Sequence, residues 1–588
     1  MQSWMKYSSD WKIRCGMCSA PCNSSSVVCL GACEMGLPPN EVTTIVILIV
    51  VFFAVRMLIG YLASRKVNNT TDYIVAGRRL PIYLTGASIM ATWFAAETLM
   101  GASSTAYQYG FQGVVFDPFG AALCLLLSGF FFIRLMRRGR YLTIIDFFER
   151  RFGKRMALAG SLIQIITYFG WTAAQIVAGG NIVHALFGWP VAAGMLLVAI
   201  IVISYTMMGG MWADTLLDFI QMFLTAGGIT LIFVGVLNAV GGWDGLFANG
   251  GSLYVSKPFT LMPIAGEGYL GYQGSLGWTY WLGAWMALGL GSIAAQDLMQ
   301  RSMSARNEST AVHGTYMASI LYLVFGVLSP LIGIAMFALN PNIAPENSEF
   351  LLVTAATDHL SPVLAGVFIA ALCSALMSTS DSSILAGASV FTENILPHFT
   401  KGKLTDKLQL RWTRIMVLVI GLMSLAIGLW AETIYKLSVF AWTIILVGMF
   451  APFAFGMYWK KANQWGALAG FAGGWISWMI TLPILYPTTL AINAGDAELA
   501  IWDATYIGSV PAFLVSVVLV VVVSLATQKV DVPKPLADVD GKPMAFKNRL
   551  GILPLRDALR KLRPEEVEQE EKETLKPVLP EESIQPGD

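Results

Sequence analysis

The stretch from Ala91 to Gly101 reads ATWFAAETLMG and lies in the middle of an apolar segment, 84–110, that is long enough to cross a bilayer. Small residues and a carboxylate at this depth weaken helical continuity, because non-helical backbone is tolerated in a membrane only where it lines a protein cavity. Backbone carbonyls freed by a break can then coordinate a cation. The alternative is a continuous helix that uses its Ala and Gly residues for close packing.

Thirteen apolar segments, each longer than the ~20 residues that span hydrocarbon, fill most of the chain. Numbered in chain order, spans 1–13 are 42–64, 84–110, 115–136, 157–187, 190–210, 214–240, 276–300, 310–339, 362–390, 412–431, 437–458, 464–486 and 506–527. The 588-residue chain is 56% hydrophobic and 13% charged, about half the charge of a soluble domain. The sequence therefore predicts an all-α membrane protein with about 13 transmembrane helices.

Basic residues are concentrated on one side of these spans. With the N-terminus outside, 32 of the 38 Lys and Arg residues fall in inner loops or in the C-terminal tail. Since basic loops stay in the cytoplasm, this pattern predicts an outer N-terminus and an inner C-terminus. It predicts a multi-pass transport domain, 42–527, in the plasma (inner) membrane. The lipid bilayer is its expected surrounding, and neither nucleic acid nor an obligate protein partner is indicated.

Both ends of the chain lack the pattern of a packed domain. Five of the seven Cys residues lie in the N-terminal tail, 1–41, and they are Cys15, Cys18, Cys22, Cys29 and Cys33. An oxidised extracytoplasmic cap or a metal site is one interpretation, but no paired CxxC or His ligands support a metal. The others are a disordered tail or a natural start at Met35. The Pro-rich, charged tail 528–588 cannot bury a core, so we expect a disordered cytoplasmic end.

Span 9 carries a run of hydroxyl groups in mid-membrane. Residues that share one helical face by their i, i+3 and i+4 spacing are Ser374, Ser378, Asp381, Ser382 and Leu385. Hydroxyl and carbonyl oxygens are hard ligands that suit an alkali cation, and no His/Cys cluster indicates a transition metal. The alternative is that these side chains bond back to carbonyls of their own helix.

A double glycine, Gly209-Gly210, predicts a turn between packed spans 5 and 6. Asp218 then lies about one turn into span 6. An intramembrane carboxylate is a functional hypothesis by default. A hydrogen-bonded structural Asp near the cytoplasmic mouth is the alternative.

The segment Tyr205-Thr206-x-x-Gly209-Gly210-Met211-x-Ala213, followed by Asp218 and Gln221, resembles the signature of the sodium:solute symporter family. The Ala-x-x-Ser-Thr run of span 9 and the span 2 segment match the same family, and the resemblance extends from span 1 to at least span 12. The choline-transporter-like branch is the most similar. The stretches that it shares with this chain include 91–93, 129–132, 141–143, 153–156 and 380–385.

This resemblance implies a LeuT-type core, in which spans 2–6 and 7–11 form two inverted five-helix repeats and spans 2 and 7 are broken. It also implies a sodium site made of backbone carbonyls from spans 2 and 9 and hydroxyls from span 9. Its residues would be Ala91, Phe94, Ala375, Ser378 and Thr379. A second sodium site, as in some relatives, would use Asp218 with Ser378 and Thr379. Sodium is the only metal expected, as the co-transported ion.

The resemblance places the solute between spans 2, 4 and 7. In the choline branch aromatic rings surround a quaternary ammonium, and a desolvated cation over a ring gains about 0.5–2 kcal/mol. The corresponding residues here are Trp93, Glu97, Tyr107, Trp171, Ala295 and Gln296. Ala295 stands in place of an aromatic residue and Glu97 in place of a small one, which leaves an amine, a zwitterion or a hydroxylated solute open. Lipid or core packing is the alternative role for both Trp residues.

The combined prediction is a secondary active symporter, not an enzyme, that uses the sodium gradient to import a small organic solute. Two rings and a carboxylate in one cavity favour a cationic or zwitterionic amine such as choline, betaine or proline. A sodium symporter for a sugar, a monocarboxylate or another neutral solute is the first alternative. A membrane-embedded solute sensor that signals through a partner is the second.

Overall fold

The computed structural model describes residues 39–64, 70–400, 405–430, 434–544 and 548–559, and most of them are helical. Eight helices in this part of the chain are long and apolar enough to cross a membrane, or nine when the bent pair Glu97–Gly113 and Val115–Phe131 counts as one span. The prediction of an all-α membrane protein is therefore confirmed. The count of 13 spans and the orientation of the termini stay predictions, and we call the two sides of the bundle inner and outer as the predicted orientation assigns them.

The helices follow the predicted spans closely. In the first half they are Pro39–Ser64 (span 1), Ile82–Trp93 and Glu97–Gly113 (span 2), Val115–Phe131 and Ile133–Gly139 (span 3), Lys154–Phe187 (span 4) and Val191–Val240 (spans 5 and 6). In the second half they are Gly274–Gly289 and Gln296–Met303 (span 7), Glu308–Leu339 (span 8), Pro362–Thr400 (span 9), Asp406–Trp430 (span 10), Ile434–Tyr458 (span 11), Gln464–Ile492 (span 12) and Ala497–Ala526 (span 13). Shorter helices between and after them are Thr70–Val75, Ile144–Phe152, Gly242–Asn249, Pro345–Phe350, Leu351–His359 and Leu555–Leu559.

Spans 2 and 7 are both interrupted. Span 2 stops at Trp93 and resumes at Glu97. Span 7 stops at Gly289, and Ala295 is extended, with φ −95° and ψ 144°, before Gln296–Met303 begins. Of the two alternatives for span 2, the broken helix is thus the one observed. Each break leaves backbone groups without their usual helical partners in the middle of the bundle.

The turn between spans 5 and 6 requires glycine at position 210. Gly210 has a φ of 59°, and a Cβ at this position would lie 2.9 Å from the carbonyl oxygen of Tyr73. The hydroxyl of Tyr73 donates to the carbonyl oxygen of Thr206 at 3.0 Å, which holds the short helix Thr70–Val75 against the end of span 5. The predicted turn is therefore present.

Spans 4, 9 and 11 form the centre of the bundle. In the most apolar part of each, 78%, 78% and 89% of the residues are buried, against 17% and 33% for spans 12 and 13. A helix that is apolar and buried all round must be surrounded by protein, as spans 4, 9 and 11 are. Spans 12 and 13 are mostly exposed, so they lie at the lipid-facing edge, where they pack against each other. The interrupted parts of spans 2 and 7 contact the central spans, and this meeting point contains the candidate site.

The chain after span 13 packs beneath the inner loops. Tyr141 donates to the carbonyl oxygen of Ala537, and Arg151 donates to that of Lys534 at 2.5 Å. We call residues 531–544 and 548–559 the strap. Its packing differs from the expected disordered tail because its carbonyls accept hydrogen bonds from buried donors of the inner loops. The predictions for residues 560–588 and for the Cys-rich residues before 39 concern parts of the chain outside the described residues.

Candidate functional site

Four of the five residues predicted to bind the first sodium ion lie at the break of span 2, and the fifth, Ser378, donates to Asp218. Ala91, Phe94 and Ala375 line one small cavity. The hydroxyl of Thr379 donates to the carbonyl oxygen of Thr92 at 2.8 Å and so ties span 9 to the break. All five predicted residues are at most 5% exposed. The arrangement places the backbone of spans 2 and 9 and the Thr379 hydroxyl around one small buried cavity.

Asp218 is fully buried and held by two serines. It accepts hydrogen bonds from Ser88 of span 2, at 2.7 Å, and from Ser378 of span 9. Of the residues predicted for a second ion, Asp218 and Ser378 are thus in contact. Thr379 instead points towards span 2, because its hydroxyl is used by the Thr92 carbonyl.

A buried ion pair lies next to Asp218 and was not anticipated from the sequence. Arg301 of span 7 and Asp214 of span 6 are joined at 2.7 Å, with side chains that are 1% and 4% exposed. Ser382 of span 9 donates to the same carboxylate at 3.0 Å. The sequence feature that could have indicated Asp214 as a site residue is its position four residues before Asp218. Arg301 carried no such signal, since it reads equally well as the start of an inner loop.

Glu97 and Trp171, both predicted for the solute site, are in direct contact. The indole N–H of Trp171 donates to Glu97 Oε1 at 2.6 Å, and Gln175 donates to Oε2 at 2.8 Å. The amide oxygen of Gln175 also accepts from the backbone N–H of Ala96 at 3.1 Å. Span 4 therefore fixes both the carboxylate and the backbone at the break of span 2.

Trp93 binds a second carboxylate, Asp297, which the sequence analysis did not single out. The indole N–H of Trp93 donates to Asp297 Oδ2 at 2.6 Å, and the hydroxyl of Tyr168 donates to Oδ1 at 2.8 Å. Asp297 lies in the first turn after the break of span 7, just as Glu97 opens the second half of span 2. A carboxylate directly after a predicted break was the available signal.

Trp442 of span 11 completes the aromatic part of the site. Its ring centroid lies 6.0 Å from that of Trp93 and 4.8 Å from that of Trp171. Three indoles therefore form a row with Asp297 at one end and Glu97 at the other. Nothing in the sequence distinguishes Trp442 from the other tryptophans, because its role depends on how span 11 is rotated.

For three residues predicted for solute binding, the described part of the chain shows no side-chain hydrogen bond or ring contact with this row. Gln296 accepts from the backbone N–H of Ile144 at 2.7 Å, so its side chain secures the inner helix Ile144–Phe152. Tyr107 donates to the carbonyl oxygen of Asn340 at 2.8 Å, near the outer end of span 8. Ala295 is buried within the break of span 7.

Asp117 joins the break of span 2 to spans 3 and 8. It accepts from Thr98 at 2.7 Å and from the hydroxyl of Tyr322 at 2.9 Å. Tyr322 also donates to the carbonyl oxygen of Trp93 at 2.9 Å. This contact satisfies one of the backbone groups left free by the break.

The centre of the bundle is acidic. Six acidic residues in the described spans are at most 3% exposed as whole residues: Glu97, Asp117, Asp214, Asp218, Asp297 and Asp381. Asp214 is paired with Arg301, whereas Glu97 and Asp297 accept hydrogen bonds from neutral donors. Arg301 lies one turn after Asp297, but its guanidinium approaches the Asp297 backbone carbonyl at 3.5 Å. Because buried charge is costly without a counter-charge, this site suits cations.

Comparison with known proteins gives a consistent result. A family model described as the sodium:solute symporter family matches residues 73–474. The osmoregulated proline transporter OpuE of Bacillus subtilis is 26% identical over 82% of this chain and 95% of its own length. The high affinity choline transporter 1 of Homo sapiens is 28% identical over 73% of this chain and 75% of its own length.

The fold is also found in a solved structure. A Na+-coupled sialic acid symporter in a substrate-bound outward-open state superimposes with a TM-score of 0.63, covering 84% of this chain and 99% of that one at 21% identity. This likeness concerns the fold, and it agrees with the broken-helix core implied by the sequence.

Proposed function

This chain belongs to the sodium:solute symporter family, and we propose that its solute carries a cationic or zwitterionic amine. The chain has a LeuT-type fold, and it is a plasma-membrane symporter that couples a small organic solute to sodium. The observation behind the proposal is the row of Trp93, Trp442 and Trp171 between Asp297 and Glu97. Proline and choline, which two of the relatives are named for, both carry such a nitrogen.

The chemistry of the row supports an amine over the other solute classes. A cation over an indole face gains about 0.5–2 kcal/mol when desolvated. Glu97 and Asp297, when ionised, add negative charge, and no basic group among the described residues is bonded to either carboxylate. A monocarboxylate would be repelled by both residues. A neutral sugar would leave their charge uncompensated.

For sodium, the proposed ligands are the carbonyls of Ala91, Phe94 and Ala375 with the hydroxyls of Ser378 and Thr379. Hard oxygen ligands of this kind suit an alkali cation. An ion there would tie the break of span 2 to span 9, as the Thr379 hydroxyl does through Thr92. A second ion would use Asp218 with Ser378, which are already in contact.

Counterflow in proteoliposomes tests the solute. We expect sodium-dependent exchange of choline, betaine or proline, and none of a sugar or a monocarboxylate. Glu97→Gln should weaken a simple cation such as choline more than proline, because proline brings its own carboxylate. Exchange of only a sugar or a monocarboxylate would overturn the amine proposal, and absence of any exchange would favour a sensor.

A further inference from the structure

The small cavity at the break of span 2 has a second wall, which comes from span 6. Besides Ala91, Phe94 and Ala375, it is lined by Met90, Gln221, Met222 and Thr225. It has room for about one water molecule. Gln221 and Thr225 lie one helical turn apart, and Asp218 lies one turn before Gln221 on the same face of the helix.

The polar atoms on this wall are buried and without partners. Gln221 is 1% exposed and Thr225 is 2% exposed. Among the described residues, neither the amide oxygen and nitrogen of Gln221 nor the hydroxyl of Thr225 has a hydrogen-bond partner. Buried polar groups are nearly always satisfied, so three unsatisfied atoms at one cavity indicate that a ligand belongs there.

The chemistry of the lining identifies the class of ligand. The amide oxygen of Gln221 and the hydroxyl oxygen of Thr225 are hard, neutral ligands, which suit an alkali cation. The opposite wall carries three residues whose carbonyls are proposed above to bind sodium. A cation in this cavity would therefore have oxygen donors from spans 2, 6 and 9.

We propose that Gln221 and Thr225 bind the co-transported sodium ion through their side-chain oxygens and form the span 6 part of its site. This inference rests on the proposed sodium site at the break of span 2. It also makes one face of span 6, from Asp218 through Gln221 to Thr225, an oxygen-lined surface that connects the two proposed ion positions. Sodium affinity then depends on span 6 as well as on spans 2 and 9.

Sodium titration of the purified protein tests this inference without knowledge of the solute. Thermal unfolding is followed in sodium chloride against potassium chloride at constant ionic strength, because an ion that binds only the folded protein raises its melting temperature. We expect Gln221→Leu and Thr225→Val each to raise the half-effective sodium concentration about tenfold, the lower end of the loss seen when metal sites lose supporting groups. Gln221→Glu keeps an oxygen ligand and should keep or increase the affinity for sodium.

Thr230→Val is the matched control, because Thr230 lies on the same helix and bonds to the carbonyl of Ala226 in its own turn. It should leave the sodium titration unchanged. Unchanged titrations in folded Gln221→Leu and Thr225→Val would overturn the inference and assign the cavity to water, while sodium stabilisation of the unmodified protein would still support the proposed sodium site. If sodium stabilises none of the proteins, the proposed site itself is wrong.

Discussion

At the scale of single residues, Asp218 and Asp214 separate two roles that a buried carboxylate can have. Among the described residues, Asp218 accepts hydrogen bonds from the hydroxyls of Ser88 and Ser378 and has no ion-pair partner, so its carboxylate is available to an ion. We expect Asp218→Asn to raise the half-saturating sodium concentration for uptake about tenfold or to lower the Hill coefficient. Uptake measured as a function of sodium concentration in proteoliposomes checks this expectation.

The comparison for this prediction is Asp214→Asn. Asp214 neutralises Arg301, and breaking a buried ion pair by removing one partner costs about 3–5 kcal/mol of folding free energy. This variant should therefore lower the yield of folded protein. An Asp218→Asn variant that behaves in the same way, with a sodium curve of unchanged shape, would make Asp218 structural.

Trp93 contributes both a ring and an N–H group, and two substitutions separate them. Trp93→Phe keeps a ring face but removes the hydrogen bond to Asp297, whereas Trp93→Ala removes both. We expect the half-saturating amine concentration to rise more in Trp93→Ala, and loss of the ring contact alone accounts for about 2- to 30-fold. Equal losses measured for the two variants would assign the effect to the bond with Asp297.

Individual site residues could be predicted only where the family resemblance supplied a matching position. The matched positions named Trp171 and Glu97 as neighbours of one solute site but not the hydrogen bond between them. They did not name Asp297, because Gln296 and Asp297 are adjacent and a helix sends adjacent side chains in different directions. The half-helix starts at Gln296. That starting point turns Gln296 towards Ile144 and Asp297 towards Trp93, and no sequence pattern fixes it.

At the scale of elements, the short outer helix Pro345–Phe350 connects three parts of the bundle. Gln108 of span 2 donates to the hydroxyl of Ser348 at 3.0 Å. Glu349 accepts from Asn181 of span 4 at 2.8 Å and from the backbone N–H of Ile434, at the start of span 11, at 3.2 Å. Burial raises the pKa of Glu349 to about 7, although these hydrogen bonds and nearby Lys436 oppose the shift.

The raised pKa of Glu349 makes this outer contact dependent on pH. A carboxyl with a folded pKa of about 7 and an ordinary value of 4.5 binds a proton in the folded protein that the unfolded chain has lost. Stability from this group is therefore present at low pH and is lost as pH rises from 4.5 to about 7, by at most about 1.4 kcal/mol per pH unit. Melting temperatures recorded between pH 5 and 8 should fall less steeply in Glu349→Gln.

The control for the pH measurement is Glu498→Gln. Glu498 lies near Glu349 and is paired with Lys436, but its side chain is 61% exposed. An exposed ion pair contributes little to stability, and Glu498 is the smallest of the causes that shift the pKa of Glu349, so this variant should reduce the pH dependence far less than Glu349→Gln. If Glu349→Gln keeps the pH dependence, other groups cause it.

The interruption of an element was easier to predict than its partners. Gly, Ala and a carboxylate in mid-span made a break of span 2 one of two alternatives, and the family resemblance implied a break in both span 2 and span 7. The tie from Tyr322 to the Trp93 carbonyl could not be predicted. It joins spans that are separated by more than 200 residues, and helical periodicity carries no information about such distances.

At the scale of the whole molecule, hydropathy was sufficient for the fold class, because every backbone polar group in a bilayer must be satisfied within a helix or a closed barrel. Composition was a poorer guide to the strap. A segment rich in Pro and charge has little apolar surface to bury, yet Leu536 and Asp538 are 1% and 2% exposed. Its packing comes from donors on the inner loops, such as Tyr141, which a composition-based prediction does not consider.

The strap leads to a prediction about truncation. Besides Arg151 and Tyr141, it engages the inner end of span 3, where Asn548 donates to the carbonyl of Phe130 at 2.7 Å, and the start of span 8, where Arg306 donates to that of Ala558. Ending the chain after residue 530 removes these partners and leaves Arg151, which is 1% exposed, without one of its acceptors. Each lost hydrogen bond to a charged group costs about 1.5–3 kcal/mol. We therefore expect a lower melting temperature and slower sodium-driven uptake.

A chain ending after residue 560 keeps every described contact and should match the full-length protein in both measurements. Equal behaviour of the two truncated chains would mean that the strap contributes nothing to the inner face, and that the solvated tail expected from composition describes it better.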